Sequence, residues 1–155
     1  MIALFIYLLC IVCWLGGMIF FSAISAPVLF TRLPIAEAGK VVAGIFPRYY
    51  LMGYIAGGLG LLLAIYLAAS RSARLWWGAA AFAIAVALAI TFYAGMIIRP
   101  QVDSIRTVAE QANPDPVQRA EFDRLHHLSV MLNVAVMALD LAALFASAAA
   151  LTPRG

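Results

Sequence analysis

The chain has 155 residues, of which 66% are hydrophobic and 11% charged, and a mean hydropathy of +1.01, which excludes a soluble globular domain and indicates the membrane class. Ten basic and seven acidic side chains give a net charge of +3, with no basic run long enough to follow a phosphate backbone, so nucleic acid is not an expected partner. The polar stretches are too short to enclose a second core, and one transmembrane domain over residues 1–155 is expected, with the lipid bilayer as its solvent.

The first predicted element is a transmembrane helix over about residues 2–26. No charged side chain precedes Arg32, and the apolar run exceeds the ~20 residues that cross a bilayer, so it reads as a retained helix rather than a cleaved leader. Cys10 and Cys13 share one face of it. Together with a thioether such as Met18 or Met137 they could hold a soft metal, and equally they are ordinary small buried residues.

A segment with the sequence TRLPIAEAGKVVAGIFPR follows, and the spacing predicts a short separate helix from Ile35 to Phe46 lying near the membrane surface. The second span, 49–70, lies between Arg48 and Arg71 and opens on Tyr49 and Tyr50. The third, 75–98, lies between Arg74 and Arg99 and opens on Trp76 and Trp77, aromatic residues suited to the headgroup level. Gly53 and Gly57 form a GxxxG pair that would permit a close helix contact. The polar stretch from Gln101 to Arg124 contains NPDP (113–116), read as a turn between helical extensions of the third and fourth spans.

The fourth span, 122–151, carries the informative pattern. His126, Ser129, Asn133, Met137 and Asp140 recur every three or four residues and so share one helical face. A carboxylate facing lipid costs at least ~2.5 kcal/mol on insertion scales, so this face should point into the bundle. No Lys or Arg lies within the apolar part of any span, counted from Leu125 in the fourth, to pair with Asp140. It is therefore either part of a proton, ion or substrate path, or a bland buried group that is protonated or bonded to a hydroxyl such as that of Tyr7, Tyr66, Thr91 or Tyr93. His126 sits at the loop-side end of this stripe, roughly level with Ser22 and Ser25 if the first and fourth helices are antiparallel. A polar pocket of His126, Ser129, Asn133 and Asp140 facing Ser22, Ser25 and Tyr50 is the candidate site. Cys10, Cys13 and His126 are the weak metal candidates.

Basic residues orient the bundle. Arg32, Lys40, Arg48, Arg99, Arg106, Arg119 and Arg124 flank the long loops, against Arg71, Arg74 and Arg154 on the other face, which predicts cytoplasmic long loops and outer termini in a bacterial inner membrane. No nucleotide loop, nucleophile elbow or metalloprotease signature occurs, so catalysis by familiar machinery is not expected.

Four stretches carry a resemblance: WLGGMIFFSAISAPVLF (14–30), AGKVVAGIFPRYY (38–50), IIRPQV (97–102) and FDRLHHLSVMLN (122–133). They resemble the bacterial domain-of-unknown-function family 4149, itself similar to the eukaryotic transmembrane protein 205. The resemblance implies an all-α, four-helix integral membrane bundle without an established activity, and a eukaryotic relative linked to platinum-drug resistance and vesicle traffic. It picks out Gly16, Gly17, Pro27, Gly44, Phe46, Pro47, Tyr50, Pro100, Phe122, His126, Ser129 and Asn133, and does not pick out Asp140. The first helix also looks like that of the copper-resistance protein D group and of small helical protoporphyrinogen oxidases, which would use a histidine there that this chain lacks.

Three functions follow as expectations. The first is a small transporter or export and resistance accessory, working as a homo-oligomer or with a membrane partner protein. The second is a redox module holding haem or quinone through His126. The third is an assembly subunit without a ligand.

Overall fold

The computed structural model describes residues 1–109 and 115–152. Among these, four helices are long and apolar enough to cross a membrane: Ile2–Arg32, Ile35–Ser70, Arg74–Arg106 and Pro116–Leu151. The chain is a transmembrane four-helix bundle, because helices that bond their own backbone are the form that irregular or extended segments cannot match in lipid.

Short connections make sequence neighbours antiparallel. Leu33 takes an extended conformation, as a residue before proline must, and Pro34 starts the second helix. Arg71–Ala73 join the second helix to the third. Asp115 caps the fourth helix by accepting from the Val117 amide at 3.1 Å, with Pro116 at the first helical position. The first half of the expected NPDP turn, Asn113 and Pro114, lies outside the described residues.

The separate surface helix over 35–46 does not form. Those residues are the start of a continuous helix, Ile35–Ser70, that runs through Pro47. Ala38, Gly39 and Val42 are buried, and Arg106 Nη1 of the third helix donates to the Gly39 carbonyl at 2.7 Å, so the segment stands against its neighbours instead of lying flat. Pro47 removes one helical hydrogen bond. Arg48 Nη1, 3.4 Å from the Gly44 carbonyl, adds a donor to the turn that the proline weakens.

The core is built from one face of each helix: Tyr7, Ile11, Trp14 and Met18 of the first, Ala56, Ala64 and Leu67 of the second, Trp77, Ala80, Ile84 and Ala87 of the third, and Val136, Asp140, Ala143 and Ser147 of the fourth. The second, third and fourth helices pack closely in sequence, and the seam between first and fourth is the narrowest contact of the ring. Trp14 and Trp77 are the largest side chains in that core, and Trp14 needs space against the second helix. The second helix supplies it, since a Cβ on Gly57 would stand 2.7 Å from Trp14 Cζ3 and one on Gly53 3.0 Å from Trp14 Nε1. The GxxxG pair is thus a cradle for a tryptophan of the same chain.

Candidate functional site

Asn133 of the fourth helix holds the polar centre of the bundle. Its Nδ2 donates to Ser22 Oγ of the first helix at 3.1 Å and lies 3.7 Å from Met137 Sδ one turn on. Its Oδ1 accepts from the Tyr49 hydroxyl of the second helix. One amide therefore ties three helices together. On the same side, Tyr50 and Ser129 both line one small cavity, and Thr91 of the third helix turns its hydroxyl back to the Ala87 carbonyl at 2.8 Å. A cavity of about 20 Å³, lined by Trp14, Met18, Tyr49, Thr91, Ser129 and Asn133 among others, is large enough for a single water molecule.

Two departures from α-helical geometry bracket this centre. Phe21–Ser25 in the first helix and Ala94–Ile98 in the third are π-helical turns. Each inserts a residue into the turn and re-aims the side chains around it, an irregularity concentrated at functional sites. Ser22 and Ser25 both lie in the first of them. Gly95 lies in the second, and Tyr50 and Tyr54 pack where its side chain would be. An aromatic series surrounds the pocket, with Phe21 and Tyr49 5.4 Å apart between ring centres and Tyr54 stacked on Phe92 at 4.4 Å.

Asp140 lies seven residues beyond Asn133 on the same face, about 10 Å along the axis at 1.5 Å per residue. It is 0% exposed, and neither carboxyl oxygen has a hydrogen-bond partner among the described residues. The hydroxyls that the sequence offered it are engaged elsewhere or turned out. Tyr7 pairs with Ser147 at 2.7 Å, Thr91 bonds its own helix, and Tyr66 and Tyr93 are exposed. Ser147 in turn donates to the Ala143 carbonyl at 2.7 Å, and Tyr7 meets Trp77 edge-on with ring centres 5.5 Å apart.

The expected pocket is assembled in part. Ser22, Asn133, Ser129 and Tyr50 converge, and Ser25 is half-buried in the same π-helical turn as Ser22. His126 does not join them. It is exposed, stacked parallel on Phe122 at 6.0 Å, in the loop-side extension of the fourth helix. Cys10 is buried and Cys13 exposed. Both line an outward groove of about 460 Å³ between the first and second helices, with Leu51, Met52 and Ile55, away from His126. Among the described residues no group of three or more His, Cys, Asp or Glu side chains is placed to hold a metal ion.

Tyr49 is the site residue that the sequence pattern does not single out. An aromatic at a span edge reads as a headgroup anchor, and only the packing of the second helix against the fourth gives its hydroxyl to Asn133. The available signal was Asn133 itself, whose amide needs partners from other helices.

A family model described as "Domain of unknown function (DUF4149)" matches residues 9–111, which begins inside the first helix, covers the second and third and ends before the fourth. No curated protein and no solved structure matches the chain. With the match extending over more than half of its length, this chain belongs to the DUF4149 family.

Proposed function

We propose that the protein is a small membrane transporter, or an accessory to export and resistance, whose solute-handling site is the polar pocket around Asn133. The observation that carries this reading is the Ser22, Asn133 and Tyr49 network, three polar side chains from three helices joined within a largely apolar bundle. Polar groups at membrane depth are expensive and concentrate on solute pathways. The two π-helical turns at the same level add to the case.

The cavity beside Asn133 is too small for a solute larger than water. Passage therefore requires the bundle to open, and the narrow first–fourth seam, where Ser22 is exposed, is the place for it. Self-association or a membrane partner protein widens the path. In this reading the long loops, with their excess of Arg and Lys, face the cytoplasm of a bacterial inner membrane.

The test is a tolerance panel. Cells expressing the chain are challenged with cationic and amphipathic toxic compounds, alongside Asn133→Leu and Tyr49→Phe variants at matched membrane levels. The expected result is a change in tolerance to at least one compound that both variants lose. Equal behaviour of wild type and both variants overturns the proposal in favour of an assembly subunit.

A further inference from the structure

A carboxyl group enclosed by a bundle and left without a partner is unusual, because burying it without a hydrogen bond or counter-charge is costly unless another state of the protein uses it. Asp140 is such a group, with 0% exposure and both oxygens unpartnered among the described residues. It lies between Val136 and Ala143 on the buried face of the fourth helix. Its polar neighbours along that face are Asn133 toward the loop side and Ser147 toward the opposite side, each about two helical turns away.

The surroundings decide which ligand such a carboxyl can take. A hard metal cation needs several oxygen ligands around it, and no second oxygen bonds Asp140. An organic cation needs room, and the cavity beside Asn133, about 20 Å³, admits only water. A proton needs one lone pair. The titratable groups within electrostatic reach are Tyr7 of the first helix and Tyr49 of the second. The buried face of the third helix, from Trp77 through Ala80, Ala83, Ile84 and Ala87 to Thr91, carries none. No Lys, Arg or His occurs between residues 2–26, 49–70, 75–98 or 128–151.

We propose that Asp140, enclosed and with both carboxyl oxygens unpartnered among the described residues, is a proton-exchange site, and that its protonation is the coupled step of the transport proposed above. The inference rests on that reading for its role in transport. On uptake, one O–H bond forms at the Asp140 carboxylate while one O–H bond of the delivering hydronium breaks and leaves a water molecule. On release the same bond breaks and the proton returns to water. No other bond changes, and the charge of the bundle interior alters by one.

Infrared spectroscopy of the full chain in lipid vesicles reads this directly. The protonated-carboxyl carbonyl band that Asp140→Asn removes is the one that reports Asp140. The band is expected in the wild type, shifted on transfer from H2O to D2O, retained in Asp140→Glu and lost in Asp140→Asn with unchanged helix content. A band that is absent, that survives Asp140→Asn or that does not shift in D2O overturns the proposal. If Asn133→Leu abolishes tolerance while the Asp140 band does not exchange, the proton site falls and the pocket reading stands. If the band exchanges while Asn133→Leu and Tyr49→Phe leave tolerance unchanged, the pocket reading falls and the proton site stands.

Discussion

Asn133 shows how one side chain can organise a bundle whose helices are otherwise greasy. Hydrophobic burial does not drive helices together inside lipid, so close packing and interhelical hydrogen bonds carry the association. Replacing Asn133 by Ala removes the bonds to Ser22 and Tyr49 together. The expected loss is ~0.6–2 kcal/mol of unfolding free energy in detergent, followed by helix signal against increasing denaturing detergent. An unchanged midpoint would mean that the network adds nothing to stability.

Gly57 makes the complementary case at the same scale. A methyl group there would lie 2.7 Å from Trp14, so Gly57→Ala forces the indole or the second helix to shift, at ~1–3 kcal/mol. Adding Trp14→Phe should recover part of that loss in a double-mutant cycle. Full additivity of the two changes would rule out the cradle.

The helices themselves show where charge and shape trade places. The fourth helix has 36 residues and so is roughly 54 Å long, well beyond ~30 Å of hydrocarbon. Its first turns project into water and hold exposed ion pairs, Arg119 with Asp123 at 3.3 Å and Arg124 with Glu121 at 2.7 Å. The hydrogen bond from Arg124 holds the Glu121 carboxyl below its usual range. The small stabilisation from this pair is therefore complete above the ordinary glutamate value and declines as pH falls through the lowered one. Hydrogen exchange of the amides around residue 121 should quicken below about pH 4.5, the unperturbed range for glutamate, and exchange that is flat across that range would show the pair to be inert. At the start of the same helix, Asp115→Ala removes the cap on Val117 and should cost about 1 kcal/mol. The loss would be visible as faster exchange confined to the amides of residues 117–119.

The whole molecule sorts its apolar residues into two populations that composition alone cannot separate. Ile84 is buried and Phe82, two residues earlier, is 72% exposed on the outer surface. Ile84→Ala should cost about 2–5 kcal/mol through the void that it leaves, whereas Phe82→Ala should stay within ~0.5 kcal/mol, as surface changes do. The reverse order in detergent unfolding would invert the inside and outside of the bundle.

The sequence by itself determined the class, the all-α architecture and the four membrane-crossing segments. Apolar length and the placement of charges are properties of the chain, and lipid admits only helices for such segments. It also placed Asn133 and Ser129 on one inward face, because helical period is local. What only the tertiary structure decided is which groups meet across helices. The rotation of each helix, altered at Phe21–Ser25 and Ala94–Ile98 by π-helical turns, sets the partners. It gave Tyr49 to Asn133, kept His126 out of the pocket, paired Tyr7 with Ser147 and left Asp140 without a hydrogen-bond partner among the described residues. The continuity of the second helix through Pro47 was decided in the same way, since burial of Ala38, Gly39 and Val42 outweighs the one hydrogen bond that the proline removes.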